Sequence, residues 1–274
     1  MTILVTGGTG TVGGWVVNHL IGAGHDVRVM SRNPDKAILP DGVEVVEGRM
    51  ADVSSFAAAL EGVTAAHLIA FSDGYSALEN GQEIVTALEE AGVERCTVLD
   101  SWDDTTLQPA LDAAHFPWTH LAPGEFMSNK IEDWGEAIRR DGVVREVGVI
   151  PSPLIHPSDI GAVAARALTE PGHAGQAYIL TGPELLTPPE QVRIIAKIIG
   201  RNLRFEQLKP EEGAALWRAQ GLDEETIDFK LFLADENNLP DEARLVSTTV
   251  SDVTGRPARR FEQWVLENVT AFSA

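Results

Sequence analysis

Short apolar runs rich in β-branched residues alternate with longer stretches of helical periodicity along the first half of the chain. Because strands and helices in this alternation form βαβ units, the pattern predicts an α/β fold with a parallel sheet. Six strands are predicted at residues 3–6, 27–31, 43–47, 65–70, 96–100 and 118–122. Helices are predicted between them at residues 12–23, 53–60, 76–91 and 105–114.

The periodicity changes after Pro123, where a helix at 128–140 is followed by a proline-rich loop at 151–157. Ser158 stands where a helix N-cap is expected, and the alanine-rich stretch 160–169 predicts a helix that packs closely on a neighbour. The last predicted elements are a strand at 176–181 and helices at 189–199, 211–220, 224–234 and 258–271. In the last of these helices, Phe261, Trp264, Val265 and Val269 have helical spacing and are expected in a core.

A glycine-rich segment follows the first predicted strand directly. It satisfies G-x-G-x-x-G and joins a strand to an amphipathic helix, which is the context that a dinucleotide fingerprint requires. Gly8 and Gly10 permit a tight turn close to a pyrophosphate, and Gly13 lets the helix lie near the strand. N–H groups at the helix start then face the anion. The alternative is a glycine-rich turn without a ligand. The predicted cofactor-binding residues here are Gly7, Gly8, Thr9, Gly10, Thr11, Val12 and Gly13.

The end of the second strand indicates which dinucleotide is bound. NAD sites usually carry an acidic residue there for the ribose hydroxyls, whereas this chain has Ser31, Arg32 and Asn33. Asp26 begins that strand, roughly 16 Å from the cofactor end, so it is not the ribose ligand. A guanidinium suits a 2′-phosphate, so Arg32 predicts NADP(H) in preference to NAD(H). The alternative is a solvated arginine.

Further motifs extend across nearly the whole chain. They read SRNP at 31–34, VVEG at 45–48, FPWT at 116–119, PGEFM at 123–127, HPSDI at 156–160, YILTGP at 178–183 and TGRP at 254–257. With these motifs the sequence resembles the NmrA-like branch of the atypical short-chain dehydrogenase/reductases. That group includes quinone oxidoreductases and nucleoside-diphosphate-sugar-epimerase-like proteins. The resemblance implies a doubly wound Rossmann sheet.

The resemblance also implies where the cofactor and substrate are bound. Relatives have an aspartate that contacts adenine where this chain has Arg49, so the adenine contact passes to the Arg49 side chain or the Met50 backbone. Relatives carry an arginine in place of Ala122 and an aromatic residue in place of Glu125, which predicts a reshaped substrate pocket. The remaining implied cofactor-binding residues are Ala70, Phe71, Pro123 and Phe126.

The expected organisation is a nucleotide-binding domain with a small, mostly helical substrate-binding region near the C-terminus. The Rossmann domain is predicted at 1–157, with 158–181 and 245–274 packing back on it. The substrate-binding region is predicted at 182–244, and the segment 124–157 joins the two.

The usual carbonyl-reducing pair of the superfamily, Tyr-x-x-x-Lys, is absent from this sequence. Four residues after Tyr75 stands Glu79, and four residues after Tyr178 stands Gly182. Hydride transfer to a quinone, enone or similar conjugated carbonyl fits this absence, because the delocalised product is protonated by water or a modest acid. The alternatives are a non-catalytic NADP(H)-sensing regulator, and an isomerase or cyclase that retains the cofactor.

Polar residues after the fifth and sixth strands are the candidates for catalysis. Ser101 is placed to orient a carbonyl, although a serine at a strand end is equally a turn residue. Glu125, excluded from water, could donate a proton, and Lys130 could pair with it or hold an oxyanion. For both, the alternative is a solvated surface side chain. Trp102 and Asn129 are the candidate pocket residues, with simple packing the alternative for Trp102.

Composition excludes several classes of partner. Among 274 residues, 41 acidic and 21 basic side chains give a net charge of −20, which repels nucleic acids and anionic membranes. No apolar run is long enough to span a bilayer and no signal peptide is recognisable. The lone Cys96 fits a reducing compartment, so a cytoplasmic location is expected. No metal ligand pattern is present, His120 is expected in the core, and the chain is expected to be a monomer or homodimer that acts on a small molecule.

Overall fold

The structure, a computed structural model, describes residues 1–71, 76–99 and 105–273. The chain divides into two compact units. The first comprises Met1–Pro123, Pro157–Leu180 and Thr249–Arg256, and the second comprises Gly124–His156, Thr181–Thr248 and Pro257–Ala274.

The strands and helices of the described residues are as follows, in chain order. The strands are β1 (Thr2–Thr6), β2 (Asp26–Ser31), β3 (Glu44–Glu47), β4 (Val63–Ile69), β5 (Arg95–Leu99), β6 (Trp118–Pro123), β7 (Val143–Val147), β8 (Ala177–Leu180) and β9 (Arg204–Leu208). The helices are α1 (Gly13–Gly22), α2 (Val53–Ala59), α3 (Gly81–Glu90), α4 (Leu107–Asp112), α5 (Asn129–Asp141), α6 (Pro157–Thr169), α7 (Pro188–Ile199), α8 (Pro210–Ala219), α9 (Glu224–Ala234), α10 (Thr249–Thr254), α11 (Phe261–Glu267) and α12 (Val269–Phe272).

The first unit is built on a sheet in the order β3-β2-β1-β4-β5-β6-β8, and all its strand pairs are parallel. The strand order reverses between β1 and β4, which is the topological switch point of a Rossmann fold. The predicted α/β fold class is therefore confirmed. Each of these strands begins and ends within two residues of its predicted bounds.

Helices cover both faces of this sheet. On one face, a core of buried apolar side chains joins β1, β4 and β5 to α2, α3 and α4, with Phe56 and Leu88 fully buried. On the other face α1 packs on α6, and a Cβ atom added to Gly161 would lie 2.8 Å from the Trp15 carbonyl carbon. The close packing expected of the alanine-rich helix is confirmed.

Two predicted helix starts are wrong because tertiary contacts decide them. Ser158 is not an N-cap, since α6 begins at Pro157 and the buried Ser158 hydroxyl lies 3.1 Å from Nε2 of His19. Helix α3 begins at Gly81 rather than at residue 76. Residues 76–80 are not helical, Ala77 is bridged to Phe71, and a Cβ at Gly81 would lie 2.2 Å from the Thr106 carbonyl oxygen.

The second unit contains two strands that the sequence pattern did not predict. β7 and β9 pair in parallel, with Val143 opposite Arg204 and Val147 opposite Leu208. Helix α10, in the first unit, was also not predicted. The core of the second unit joins α5, β7, α7, α11 and α12, and it includes Trp134.

This core corrects the prediction that the C-terminal segment packs on the Rossmann domain. Residues 257–274 belong to the second unit rather than to the Rossmann domain, because Phe261, Trp264 and Val265 are buried against α7. The segment 124–157 likewise contributes α5 and β7 to that unit instead of only joining two domains. The predicted helix 258–271 is two helices, α11 and α12, which meet at Asn268.

Candidate functional site

The glycine-rich turn between β1 and α1 has a conformation that depends on three of its glycines. Gly7 adopts a φ of 63°, in the left-handed region that glycine tolerates. A Cβ at Gly13 would lie 2.1 Å from the carbonyl oxygen of Gly7, and a Cβ at Gly8 would lie 2.7 Å from the Val29 side chain. The turn is closed by a 2.8 Å hydrogen bond from the Gly10 N–H to the Gly7 carbonyl oxygen. A side chain at Gly8 would collide with Val29 on β2, and a side chain at Gly13 would collide with the backbone of the turn.

The start of α1 fits a bound pyrophosphate. Gly10 and Thr11 are exposed, and none of the hydrogen bonds among the described residues uses the N–H group of Thr11 or Val12. No acidic residue stands in the first turn of α1, and Val12 supplies no side-chain cap. The positive end of the helix dipole therefore faces solvent, with donors ready for an anion.

The end of β2 lies beside this turn. Met30 pairs with Thr6, so Ser31 and the exposed Arg32 follow at the same edge of the sheet as the glycine turn. The Ser31 hydroxyl accepts a hydrogen bond of 3.2 Å from the N–H of the exposed Asn33. Asp26 pairs with Thr2 at the opposite edge, as expected, and lies 3.6 Å from the N-terminal amine.

The turn after β3 is held by contacts from α2 and from Asn80. The Arg49 N–H donates to the Ser55 hydroxyl at 3.1 Å, and Arg49 is exposed. The Met50 side chain is buried, and its carbonyl accepts a hydrogen bond of 2.8 Å from the Asn80 amide. One acceptor site of the Met50 backbone is therefore already used within the protein.

The remaining predicted cofactor residues divide between the two units. Ala70 and Phe71 follow β4 at the switch point, where Ala70 is fully buried and Phe71 is half-buried. Pro123 ends β6 and pairs with Leu180 of β8. Phe126 belongs to the second unit. The candidates Ser101 and Trp102, and Tyr75, lie outside the described residues.

The second unit brings Glu125 and Lys130 together as an ion pair. Nζ of Lys130 lies 2.5 Å from Oε1 of Glu125, and the two side chains are 8% and 31% exposed. The Lys130 ammonium also lies 4.5 Å from the centre of the Trp134 ring, one helical turn further along α5. Asn129 is the half-buried first residue of that helix. A solvated Lys130, the alternative considered from the sequence, is excluded by its burial.

The charge state of Lys130 is set by its acidic neighbours. Burial lowers the pKa of Lys130, but the charges of Glu125, Asp133 and Glu146 and the hydrogen bond to Glu125 together outweigh it, so the pKa is raised. The ammonium is therefore charged at neutral pH. Glu125 is held by this ion pair, and its role as a proton donor stays a prediction.

Glu146 on β7 is a site residue that the sequence pattern did not single out. Its Oε1 accepts a hydrogen bond of 2.5 Å from Nε1 of Trp134, and burial raises its pKa although Trp134 and Lys130 oppose the shift. The run 143–147 after Gly142 is rich in valine and signals a strand. Recognising β7 would have placed Glu146 beside α5.

Two histidines of the first unit, His67 and His173, make hydrogen bonds within the protein. His67 is fully buried, its Nδ1 lies 2.8 Å from the Thr97 hydroxyl, and burial lowers its pKa to about 4, so it is neutral. The Tyr178 hydroxyl lies 2.7 Å from Nδ1 of His173. No cluster of potential metal ligands occurs in the part of the chain that the structure describes.

Comparisons with known proteins identify the family. The family model described as the NmrA-like family matches residues 1–102. Over 99% of both chains, the sequence is 35% identical to a (4-alkanoyl-5-oxo-2,5-dihydrofuran-3-yl)methyl phosphate reductase of Streptomyces griseus. The chain belongs to the NmrA-like family. This NmrA-like protein is also 31% identical to an NAD(P)H azoreductase of Xenophilus azovorans, again over 99% of both chains. The predicted family is thus confirmed.

The fold of this NmrA-like protein is similar to that of a solved reductase structure. A quinone oxidoreductase from Escherichia coli complexed with NADPH superposes with a TM-score of 0.81 at 23% identity, covering 97% of this chain and 99% of that one. Within residues 1–71, 76–99 and 105–273, no helix has both the length and the apolar character needed to cross a membrane.

Proposed function

We propose that this chain is an NADPH-dependent reductase that transfers a hydride to a carbon–carbon double bond conjugated with a carbonyl group. The glycine turn carries the proposal, because its donors and its steric requirements fit a dinucleotide pyrophosphate. The relatives support the reaction class, since one is named a reductase of an acylated butenolide phosphate and another an NAD(P)H azoreductase.

The residues that would hold the cofactor share the carboxyl edge of the first unit's sheet. The turn from Gly7 to Gly13 would bind the pyrophosphate, and Arg32 would bind the 2′-phosphate. Arg49, which is exposed, would lie against the adenine, with the Met50 backbone as the alternative contact. Ala70 and Phe71 follow the strand at the switch point, where the rest of the dinucleotide would pass.

The acceptor chemistry explains how reduction proceeds without a tyrosine and lysine pair. In the substrate that the Streptomyces griseus relative is named for, the ring double bond is conjugated to two carbonyl groups. Bound NADPH would supply a hydride to the ring carbon that bears the phosphomethyl group, and the double-bond electrons would move onto the two carbonyl oxygens. Protonation of the neighbouring ring carbon by water completes the reduction. The two carbonyl groups stabilise the anion, so a strong acid is not required.

We assign the ion pair of Glu125 and Lys130 a role in stabilising that anion. Lys130 carries a positive charge in surroundings that exclude water, where a charge acts more strongly than in bulk solvent. Glu125 holds the ammonium in position. Neither residue is required to give up a proton in this scheme.

The preference for NADPH provides a direct test of the cofactor assignment. NADPH is expected to bind about tenfold more tightly than NADH, since a paired guanidinium and phosphate contribute about 1.4 kcal/mol or more. Arg32→Glu should reverse that order, as measured by fluorescence titration with both dinucleotides. Arg166→Glu, which changes the same charge on α6, serves as the control and should leave the order intact. Equal affinities of the wild-type protein for NADPH and NADH would contradict the assignment.

Turnover with defined acceptors tests the reaction. The purified protein should oxidise NADPH with a 4-alkanoyl-5-oxo-2,5-dihydrofuran-3-ylmethyl phosphate, and mass spectrometry should find a product heavier by two hydrogens. The dephosphorylated alcohol, a naphthoquinone and an azo dye complete the panel. Glu125→Gln should lower kcat about tenfold and leave the NADPH dissociation constant nearly unchanged, because it weakens only the positioning of Lys130.

The possible failures of this experiment differ in meaning. Saturable NADPH binding without oxidation across the panel would exclude the reductase and favour a cofactor-sensing protein. A product of unchanged mass would instead favour an isomerase. Unchanged turnover in Glu125→Gln would remove the ion pair from the mechanism while leaving the reductase in place.

A further inference from the structure

A cavity of about 460 Å³ lies in the second unit between α5, β7, α8 and α9, and it shares Trp134 with the surroundings of Lys130. Its lining combines two indole rings with carboxylates and includes Asp133, Trp134, Glu136, Glu146, Trp217 and Lys230. A volume of this size suits a small organic ligand.

Glu146 is a carboxylate of this cavity that forms no close ion pair in the described part of the chain. Among the described residues no cationic group forms an ion pair with Glu146, and its hydrogen bond comes from the neutral indole of Trp134. Glu136 and Asp133 are already paired, with Arg140 and Lys230 respectively. Burial raises the pKa of Glu146 and outweighs the opposing charges of Lys130 and Lys230, so a further cation held close to this carboxylate would stabilise it.

Two lysine ammonium groups in the same part of the unit already lie against indole rings. The Lys230 ammonium lies 2.9 Å from Oδ1 of Asp133 and 5.4 Å from the centre of the Trp217 ring. The Lys130 ammonium lies 4.5 Å from the centre of the Trp134 ring. An indole face combined with a carboxylate is a recurrent way to bind an alkylammonium group.

We propose that this cavity binds a primary organic amine with an apolar body, whose ammonium group pairs with Glu146 and whose body packs against the indole rings of Trp134 and Trp217. An anion is disfavoured because Glu132, Asp133, Glu136 and Glu146 outnumber the three basic residues that line the cavity. A bare metal ion is disfavoured because the described carboxylates do not converge in a coordination cluster. The net charge of −20 attracts cations to the protein as a whole.

The test is titration of the purified protein with 2-phenylethylamine at pH 8, without NADPH, by calorimetry and tryptophan fluorescence. One saturable site is expected. The neutral analogue 2-phenylethanol should bind about tenfold more weakly or not at all, because it cannot form the ion pair. Glu146→Gln keeps the shape of the side chain and an acceptor for Trp134, and it should weaken amine binding about tenfold or more.

Glu225→Gln is the matched control, since it removes the same charge from α9 of the same unit. It should bind the amine as the wild type does. Circular dichroism and a urea unfolding curve establish that each variant is folded. Absence of saturable heat in the wild type, equal binding of 2-phenylethanol, or unchanged affinity in a folded Glu146→Gln variant would each overturn the proposal. None of these outcomes depends on whether the protein is a reductase.

Discussion

Replacement of Gly13 by alanine is expected to weaken NADPH binding about 100-fold, because the added methyl group displaces the turn that holds the pyrophosphate. The Cβ atom would lie 2.1 Å from the carbonyl oxygen of Gly7 and 2.6 Å from its carbonyl carbon. Both neighbours are backbone atoms, so relief requires α1 or the turn to move. Loss of two charge-assisted amide hydrogen bonds, at about 1.5 kcal/mol each, corresponds to this factor. Fluorescence titration with NADPH measures it.

The next residue along the helix is a matched control. A Cβ at Gly14 would lie 3.6 Å from the Gly8 carbonyl oxygen, which is an ordinary contact, so Gly14→Ala fits without displacement. Alanine is also the better helix former, by roughly 0.5–1 kcal/mol. NADPH affinity should therefore remain close to that of the wild type in Gly14→Ala. If a folded Gly13→Ala variant bound NADPH as tightly as Gly14→Ala, the turn would not be the pyrophosphate site.

The sequence pattern predicts the glycine turn, but it does not predict the tertiary contacts that make particular glycines necessary. The turn, its flanking strand and its helix are adjacent in sequence, so spacing alone places them together. The sheet order follows from the alternation of strands and helices, because right-handed crossovers leave few topologies. By contrast, the requirement at Gly8 comes from Val29 on a neighbouring strand, and the start of α3 at Gly81 is set by Thr106. No local pattern contains those contacts.

The second unit was predicted less well for a related reason. The apolar spacing of Phe261 and Trp264 correctly indicated burial but not which core receives the helix, and that core proved to be the one around α7. β7 and β9 form a small half-exposed pair, in which charged residues such as Arg145 and Glu206 interrupt the apolar pattern. Lys130 was not recognisable as buried, because its burial depends on Trp134 and on strand β7.

Replacement of Lys130 by methionine is expected to destabilise the second unit by about 3 kcal/mol, at the low end for a broken buried ion pair because Glu125 is about one-third exposed. Methionine fills a similar volume, so the loss reflects charge rather than packing. It leaves Glu125, Asp133 and Glu146 without their shared cation. Urea unfolding followed by tryptophan fluorescence should show an earlier midpoint. Turnover should fall in parallel if the ammonium stabilises the reduced substrate.

Lys197→Met in the same unit is the control, because it removes an exposed lysine charge instead of a buried one. Its ammonium lies 2.8 Å from Glu262, but the two side chains are 76% and 44% exposed, so water screens the pair and the midpoint should change little.

The pH dependence gives a second check. Because the pKa of Lys130 is raised in the folded state, its contribution is fully present below the ordinary value of 10.5 and is lost as pH rises through the folded pKa. The difference between the wild type and Lys130→Met should therefore be constant from pH 7 to pH 9 and shrink only under strongly alkaline conditions. A difference no larger than that of Lys197→Met would show that the buried ion pair does not stabilise the unit.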